Sequence, residues 1–308
     1  MNETLLDGYA NITGRFKDIL LEKLSDLNEK TAARYAYIIG PFTDECGDFT
    51  MVTKEAARAY FDRLRREKQT KATLKVKLST LRSIARYADK ELGTSLLPAF
   101  SDLGVDEPEM QVHPDKMPTP ANVDMALSYL REKGDIQTFT IISLVLCAGF
   151  SPSEIVNLAH NNFVTDTEGK HMVELVNDSE RGFSRYIPLS ENLTALVSYV
   201  GSMYGDDFTG TDPIFLNKHH KKYSLTVLEN HIREVCENVR KEKGEAFKPF
   251  TLAQLRNEFI AFFRKSGGTT QQLSRQLDST GRWFTRLDHA VNSISDVSAH
   301  YNHIDIRW

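Results

Sequence analysis

Arg256 is the first residue that asks for a chemical explanation. It lies inside Thr251–Lys265, where Leu252, Leu255, Phe259 and Phe262 or Phe263 recur at three- and four-residue steps, the stripe of a buried helix that Thr251 can cap. An arginine this close to a core is costly unless its guanidinium meets an anion, either a carboxylate or a phosphate. A second cationic set lies on one helical face: Lys71, Lys75, Arg82 and Arg86 follow one another at four- and seven-residue steps, and Arg58, Arg65 and Arg66 add to the region. Such a stripe suits a polyanion, or else it is a solvated face. A third set, Lys218, His219, His220, Lys221 and Lys222, crowds one short loop. It fits a phosphate contact or a plain turn. Two histidines without paired carboxylates or cysteines are a poor ligand set, so no metal is expected there.

These residues need scaffolding, and the sequence is patterned for helices. Residues 16–27, 30–42, 53–68 and 70–92 carry apolar positions at helical spacing. On the last of these Leu74, Leu78, Leu81, Ala85 and Ala88 form the packing side opposite the basic one. Prolines at 98, 108, 114, 118 and 120 mark 98–120 as a linker that cannot be helical throughout, with residues 111–120 as its narrowest definition, and so as a joint between mobile halves. Beyond it, helices are expected at 122–133, ending at Gly134, and at 136–147, closed by Gly149. Ser151 is placed to cap a helix that has Pro152 in its first turn. Residues 172–176 and 183–189 read as a β-hairpin, and helices follow at 192–203, 225–241 and 251–265. The expected fold is therefore mostly α with a small β-hairpin, in two domains: a helical one over 1–110 and a second over 121–308.

Composition sets the outer limits. The chain has 308 residues, 41% hydrophobic and 26% charged, enough for two cores. The longest apolar run, Phe139 to Phe150, is 12 residues and includes Thr140 and Ser143, so it reads as a core helix and no membrane span is expected. The first residues lack the pattern of a signal peptide, which points to the cytoplasm. Cys46, Cys147 and Cys236 read as reduced, part-buried thiols. Net charge is -4, yet residues 54–90 carry twelve Lys/Arg against four Asp/Glu, leaving the remainder near -12. The positive charge is gathered in one place.

The run Cys147-Ala-Gly-Phe-Ser-Pro-Ser-Glu-Ile-Val-Asn-Leu158, taken with the Arg256 helix, resembles the C-terminal domain of the tyrosine recombinases, the phage integrase family. Its motifs read Thr-Gly-Leu-Arg-x-Ser-Glu-Leu and, about a hundred residues later, His-x-Leu-Arg-x-x-Phe. Gly149, Ser153, Glu154, Leu158, Leu255, Arg256 and Phe259 match; the first arginine position is Ser151 and the histidine position is Ala253. Arg185-Tyr-Ile-Pro-Leu189 matches the end of the family's hairpin, but the turn that carries its lysine offers Glu180 and Arg181. The family's Leu-Gly-His falls on Leu277-Asp278-Ser279 or, with an insertion, on Leu287-Asp288-His289. Tyr301, in Ala299-His-Tyr-Asn-His303, is the positional heir of the nucleophile.

The resemblance implies a core-binding first domain and a catalytic-type second domain that close on duplex DNA. The family cuts DNA by attack of a tyrosine oxygen on a phosphodiester, with arginine, histidine and lysine donors stabilising the charge that develops. With letters lost at Ser151, Ala253 and Ser279, the expectation is that the chain is not an enzyme and has no catalytic residues. Arg256 and Tyr301 then remain only as residual positions. DNA contact is expected from Arg58, Arg65, Lys71, Lys75, Arg82, Arg86, Arg185, Lys218, Lys221, Lys222 and Arg256. The implied function is a sequence-specific repressor of a phage or mobile element, acting at operator sites in double-stranded DNA without a cofactor. The alternative is a divergent recombinase using Tyr301, with Arg256, Arg185 and Arg181 or Arg282 as donors. An antagonist protein or a small-ligand inducer is left open as a further partner.

Overall fold

In a computed structural model, the structure describes residues 3–104, 117–176, 184–203, 210–277 and 287. The chain divides into two compact units, Met1–Met110 and Gln111–Trp308.

The first unit is built from α1 (Gly14–Ser25), α2 (Glu29–Cys46), α3 (Lys54–Arg66), α4 (Lys71–Leu92) and α5 (Leu97–Ser101). Its helix starts are set locally. The side chains of Asn28, Thr53 and Thr70 each accept a hydrogen bond from the backbone amide three residues on, as N-caps do. The core is aromatic: the ring of Phe42 lies 4.9 Å from that of Tyr60, 5.6 Å from that of Phe100 and 5.8 Å from that of Phe49.

Two expectations need correction here. The helix expected to end at 42 runs through Pro41 to Cys46. Packing holds it together: Gly40 lies against the ring of Tyr9 where no Cβ would fit, and the Thr43 hydroxyl donates to the Gly40 carbonyl at 2.8 Å. The linker also begins later than expected, because Pro98 opens α5 and Ala99, Phe100 and Leu103 are buried in the first core. Asp89 anchors the entry to α5, accepting from the amides of Leu96 and Leu97 at 2.6 and 2.9 Å and from the Thr94 hydroxyl at 2.8 Å.

The second unit contains α6 (Pro120–Lys133), α7 (Ile136–Ala148), α8 (Pro152–Asn157), β1 (Phe163–Thr165), β2 (His171–Val176), β3 (Ser184–Pro188), α9 (Glu191–Ser202), α10 (Leu225–Lys243), α11 (Leu252–Lys265) and α12 (Thr270–Leu277). α7 is apolar on all sides and sits at the centre, with Phe139, Ile142 and Val145 fully buried; α6, α9 and α11 pack around it. Thr140 and Ser143 enter this core by donating to carbonyls one turn back, at 2.8 Å each. The expected hairpin is part of a three-stranded antiparallel sheet in the order β1-β2-β3, with Val173 opposite both Phe163 and Ile187. β1 escapes a reading of pattern because it is only three residues long. Among the described residues no helix is long and apolar enough to cross a membrane. The expectation of part-buried thiols holds for Cys46, while Cys236 is buried and Cys147 is exposed.

Candidate nucleic-acid interface

On α4, Lys71, Lys75 and Arg86 are exposed along one line. Arg82, the fourth member of the stripe, turns aside. Its guanidinium donates to the Phe100 carbonyl from Nε at 3.0 Å and from Nη2 at 2.8 Å, and to the Ser101 carbonyl at 2.9 Å. It thus satisfies carbonyls at the end of α5 that the helix leaves without partners. Arg58 and Arg66 on α3 are exposed, whereas Arg65 is held by Asp62 and by the Gly104 carbonyl, at 2.5 Å each. The expected stripe is therefore partly outward charge and partly internal bracing. Spacing shows Asp62 beside Arg65 but not the carbonyl partners, which lie 18 to 39 residues away.

In the second unit the lysine-rich loop is a tight turn. Leu216 and Lys222 pair as an antiparallel bridge, the Asn217 carboxamide oxygen accepts from the amides of His219 and Lys221 at 2.8 and 3.3 Å, and His220 adopts φ 54°. Lys218 and Lys221 are exposed, and the Lys222 ammonium donates to the Asn157 side chain at the end of α8, at 2.8 Å.

The motif residues meet near the end of α7. Ser151 and Glu154 form a capping box: the Ser151 amide donates to Glu154 Oε2 at 2.6 Å and the Glu154 amide to the serine hydroxyl at 3.3 Å. The other oxygen of Glu154 pairs with Arg185 Nη2 of β3. Arg185 is largely buried, and its Nε has no hydrogen-bond partner among the described residues. Arg256, expected to face a carboxylate or a phosphate, donates to two backbone carbonyls, with the Glu154 carboxylate near enough to act on its charge. Its Nε donates to the Gly149 carbonyl at 2.8 Å and its Nη2 to the Leu277 carbonyl at 3.3 Å. Burial lowers its pKa from the ordinary arginine value; the nearby Glu154 carboxylate counteracts this and the Arg185 charge adds to it.

Gln276 donates to the Ala148 carbonyl at 3.1 Å, so α11 and α12 together cap the negative end of α7. Gly149 is required there. Its φ is 76°, and a Cβ would stand 2.5 Å from the Phe259 ring and 2.8 Å from Leu277. Ala253 is exposed at the start of α11 and shares the wall of a cavity of about 340 Å³ with Pro152 and Arg233. Sequence reasoning matched Glu154 only as a family letter; its role as the acid holding Arg185 depends on a contact 31 residues away. Tyr301, Ser279, Glu180, Arg181, Arg282, Asp288 and His289 lie outside the described residues.

No family model and no curated protein sequence matches this chain. Solved structures do. The Tn1549 transposon integrase in complex with circular intermediate DNA superposes with a TM-score of 0.66 at 16% identity, covering 95% of this chain and 96% of that one. A lambda integrase dimer bound to a COC' core site gives 0.65 at 16% identity, covering 91% of this chain and 98% of that one. The chain has the tyrosine-recombinase fold. The mostly helical reading with a small sheet therefore stands.

The expectation that the chain is not an enzyme does not stand, because the structures sharing the recombinase fold are integrases. The inference from missing letters was too narrow in physical terms. Charge stabilisation depends on where guanidinium groups are delivered: β3 pairs Arg185 with Glu154, and α11 holds Arg256 on the Gly149 carbonyl within reach of the Glu154 and Arg185 charges.

Proposed function

We propose that this protein binds specific sites in duplex DNA and acts as a repressor of a phage or mobile element by occupying them. The reading is carried by the outward line of Lys71, Lys75 and Arg86 on α4, in a fold whose relatives were solved with DNA. Cations fixed along a rigid helix neutralise successive phosphates and release counterions, which supplies affinity independent of any bond breaking. In this reading the helical unit is the core-binding domain, and Lys218 and Lys221 extend the phosphate contacts to the second unit. Occupancy suffices for repression whether or not a strand is cut.

Genome-wide immunoprecipitation followed by gel-shift titration on the recovered sites tests this. A small set of sites bound in the nanomolar range, with affinity falling steeply as salt rises, is the expected result. Uniform weak binding to all sequences would defeat the repressor reading.

A second reading, a divergent recombinase, is favoured by two guanidinium groups held near one another, Arg185 on Glu154 and Arg256 on the Gly149 carbonyl. It takes Tyr301 as the nucleophile. A nicked suicide substrate distinguishes the two: a covalent adduct lost in Tyr301→Phe supports strand cleavage, and its absence at saturating site occupancy removes that reading.

A further inference from the structure

A cavity of about 610 Å³ in the second unit shares only the lysine-rich loop with the groups considered above. It lies where the start of α7, the end of α9, the start of α10 and the loop at 216–223 come together. One side is apolar and partly wet: Met203 and Val227 are 55% and 44% exposed, beside buried Leu216 and Tyr223. Apolar groups held in a concave wall of this volume form the usual setting for a small molecule. The other side carries carboxylates. Asp135 accepts from the Thr138 amide at 3.0 Å with one oxygen and lies 4.0 Å from His231 Nε2 with the other, and Glu234 is exposed on the next turn of α10. Against these two acids the lining offers one lysine, Lys218.

The cavity is also built in advance. The Gln137 side chain grips Leu216 from both sides, donating to its carbonyl at 2.7 Å and accepting from its amide at 2.9 Å. His231 is fixed by the Thr138 hydroxyl at 2.8 Å and by the Tyr223 ring, 5.9 Å between centroids. A site that needs little reordering loses little affinity to entropy.

We infer that this cavity is an effector site for a small aromatic amine, whose ring contacts Met203 and Tyr223 and whose ammonium faces Asp135 and Glu234. Thioether and phenol faces suit an aromatic ring, and the two carboxylates select a cation over an anion. The regulatory half of the inference rests on the DNA-binding reading. Asn217, Lys218, His219 and His220 form one wall of the cavity, and in that reading the same tight turn presents Lys218 and Lys221 to phosphates. A ligand seated against that wall must be linked to DNA binding through the turn, and the linkage is reciprocal.

The test titrates the full-length protein with tryptamine and with indole-3-propionate, its anionic counterpart, using ligand-observed NMR and thermal shift. DNA titrations are run with and without the amine. Tryptamine is expected to bind and the acid not. Met203→Lys, a change at an exposed position, is expected to abolish amine binding while leaving Tm nearly unchanged and DNA affinity in the absence of amine within twofold. Saturating tryptamine is expected to change DNA affinity by about fivefold or more, in line with ordinary coupling between sites. Equal binding of the acid, no binding of either probe, or binding indifferent to Met203→Lys overturns the site. Amine binding without a change in DNA affinity overturns the regulatory half. Wild-type protein that binds tryptamine but no DNA overturns the proposed function and leaves the site standing.

Discussion

The two units treat their arginines and lysines in opposite ways. In the first, α4 leaves Lys71, Lys75 and Arg86 exposed and turns Arg82 back onto the fold. In the second, Arg185 and Arg256 are drawn inward, one onto Glu154 and the other onto the carbonyls of Gly149 and Leu277. An exposed cation can be changed with little loss of stability, while a cation that holds backbone or a carboxylate in place is part of the structure. Charge on α4 should therefore be read out as DNA affinity, and charge around Glu154 chiefly as the integrity of the second unit.

The comparison is broken most directly by reversing charge on α4. Lys71→Glu, Lys75→Glu and Arg86→Glu together should weaken DNA binding by about 100-fold or more and reduce the salt slope by about 3, one for each phosphate no longer neutralised, with Tm nearly unchanged. Unchanged affinity in filter binding would show that the DNA is held elsewhere. Next in size, Glu154→Ala should destabilise the second unit by about 3 kcal/mol, because it strands Arg185 and removes half of a capping box. Urea unfolding followed by a probe within residues 117–277 measures it.

Asp89→Asn should cost the first unit about 2 kcal/mol at neutral pH. Burial pushes the Asp89 carboxyl up, but the amides of Leu96 and Leu97 and the Thr94 hydroxyl outweigh it and hold the pKa below the ordinary 3.8. A depressed folded pKa means that the contribution is fully present above the unfolded value and is lost as pH falls through the folded one. Wild type and variant should thus converge in acid below 3.8, and a gap that persists there would contradict the assignment. Arg82→Ala sharpens the comparison from the middle. It should cost about 1.5 kcal/mol, because the carbonyls of Phe100 and Ser101 lose their donor, and weaken DNA binding less than Lys75→Glu does. The smallest effect is expected from Ser151→Ala, about 1 kcal/mol for a missing cap, seen in thermal unfolding.

Helix limits were legible in the residues wherever a cap is local. Thr53, Thr70, Ser151 and Thr251 open helices as their types suggest, and Gly134 and Gly149 close theirs in the left-handed conformation. What escaped was decided at a distance. Pro98 reads as a breaker until Phe100 finds the core of the first unit, and Arg82 reads as part of a surface stripe until the end of α5 folds beneath it. The same holds for the site. Spacing identified Arg256 as a buried cation needing acceptors, but not that the Gly149 and Leu277 carbonyls would be among them; the fourfold junction that makes the 610 Å³ cavity has no signature in any one segment.

The grip of Arg256 on Gly149 and Leu277 has a mechanical corollary. Its Nε and Nη2 already tie the last turn of α7 to the end of α12. An anion that draws this guanidinium off those carbonyls releases both ties at once, so α12 would open more readily, seen as faster exchange of its amides, and a contact made on α11 would be felt at residue 277.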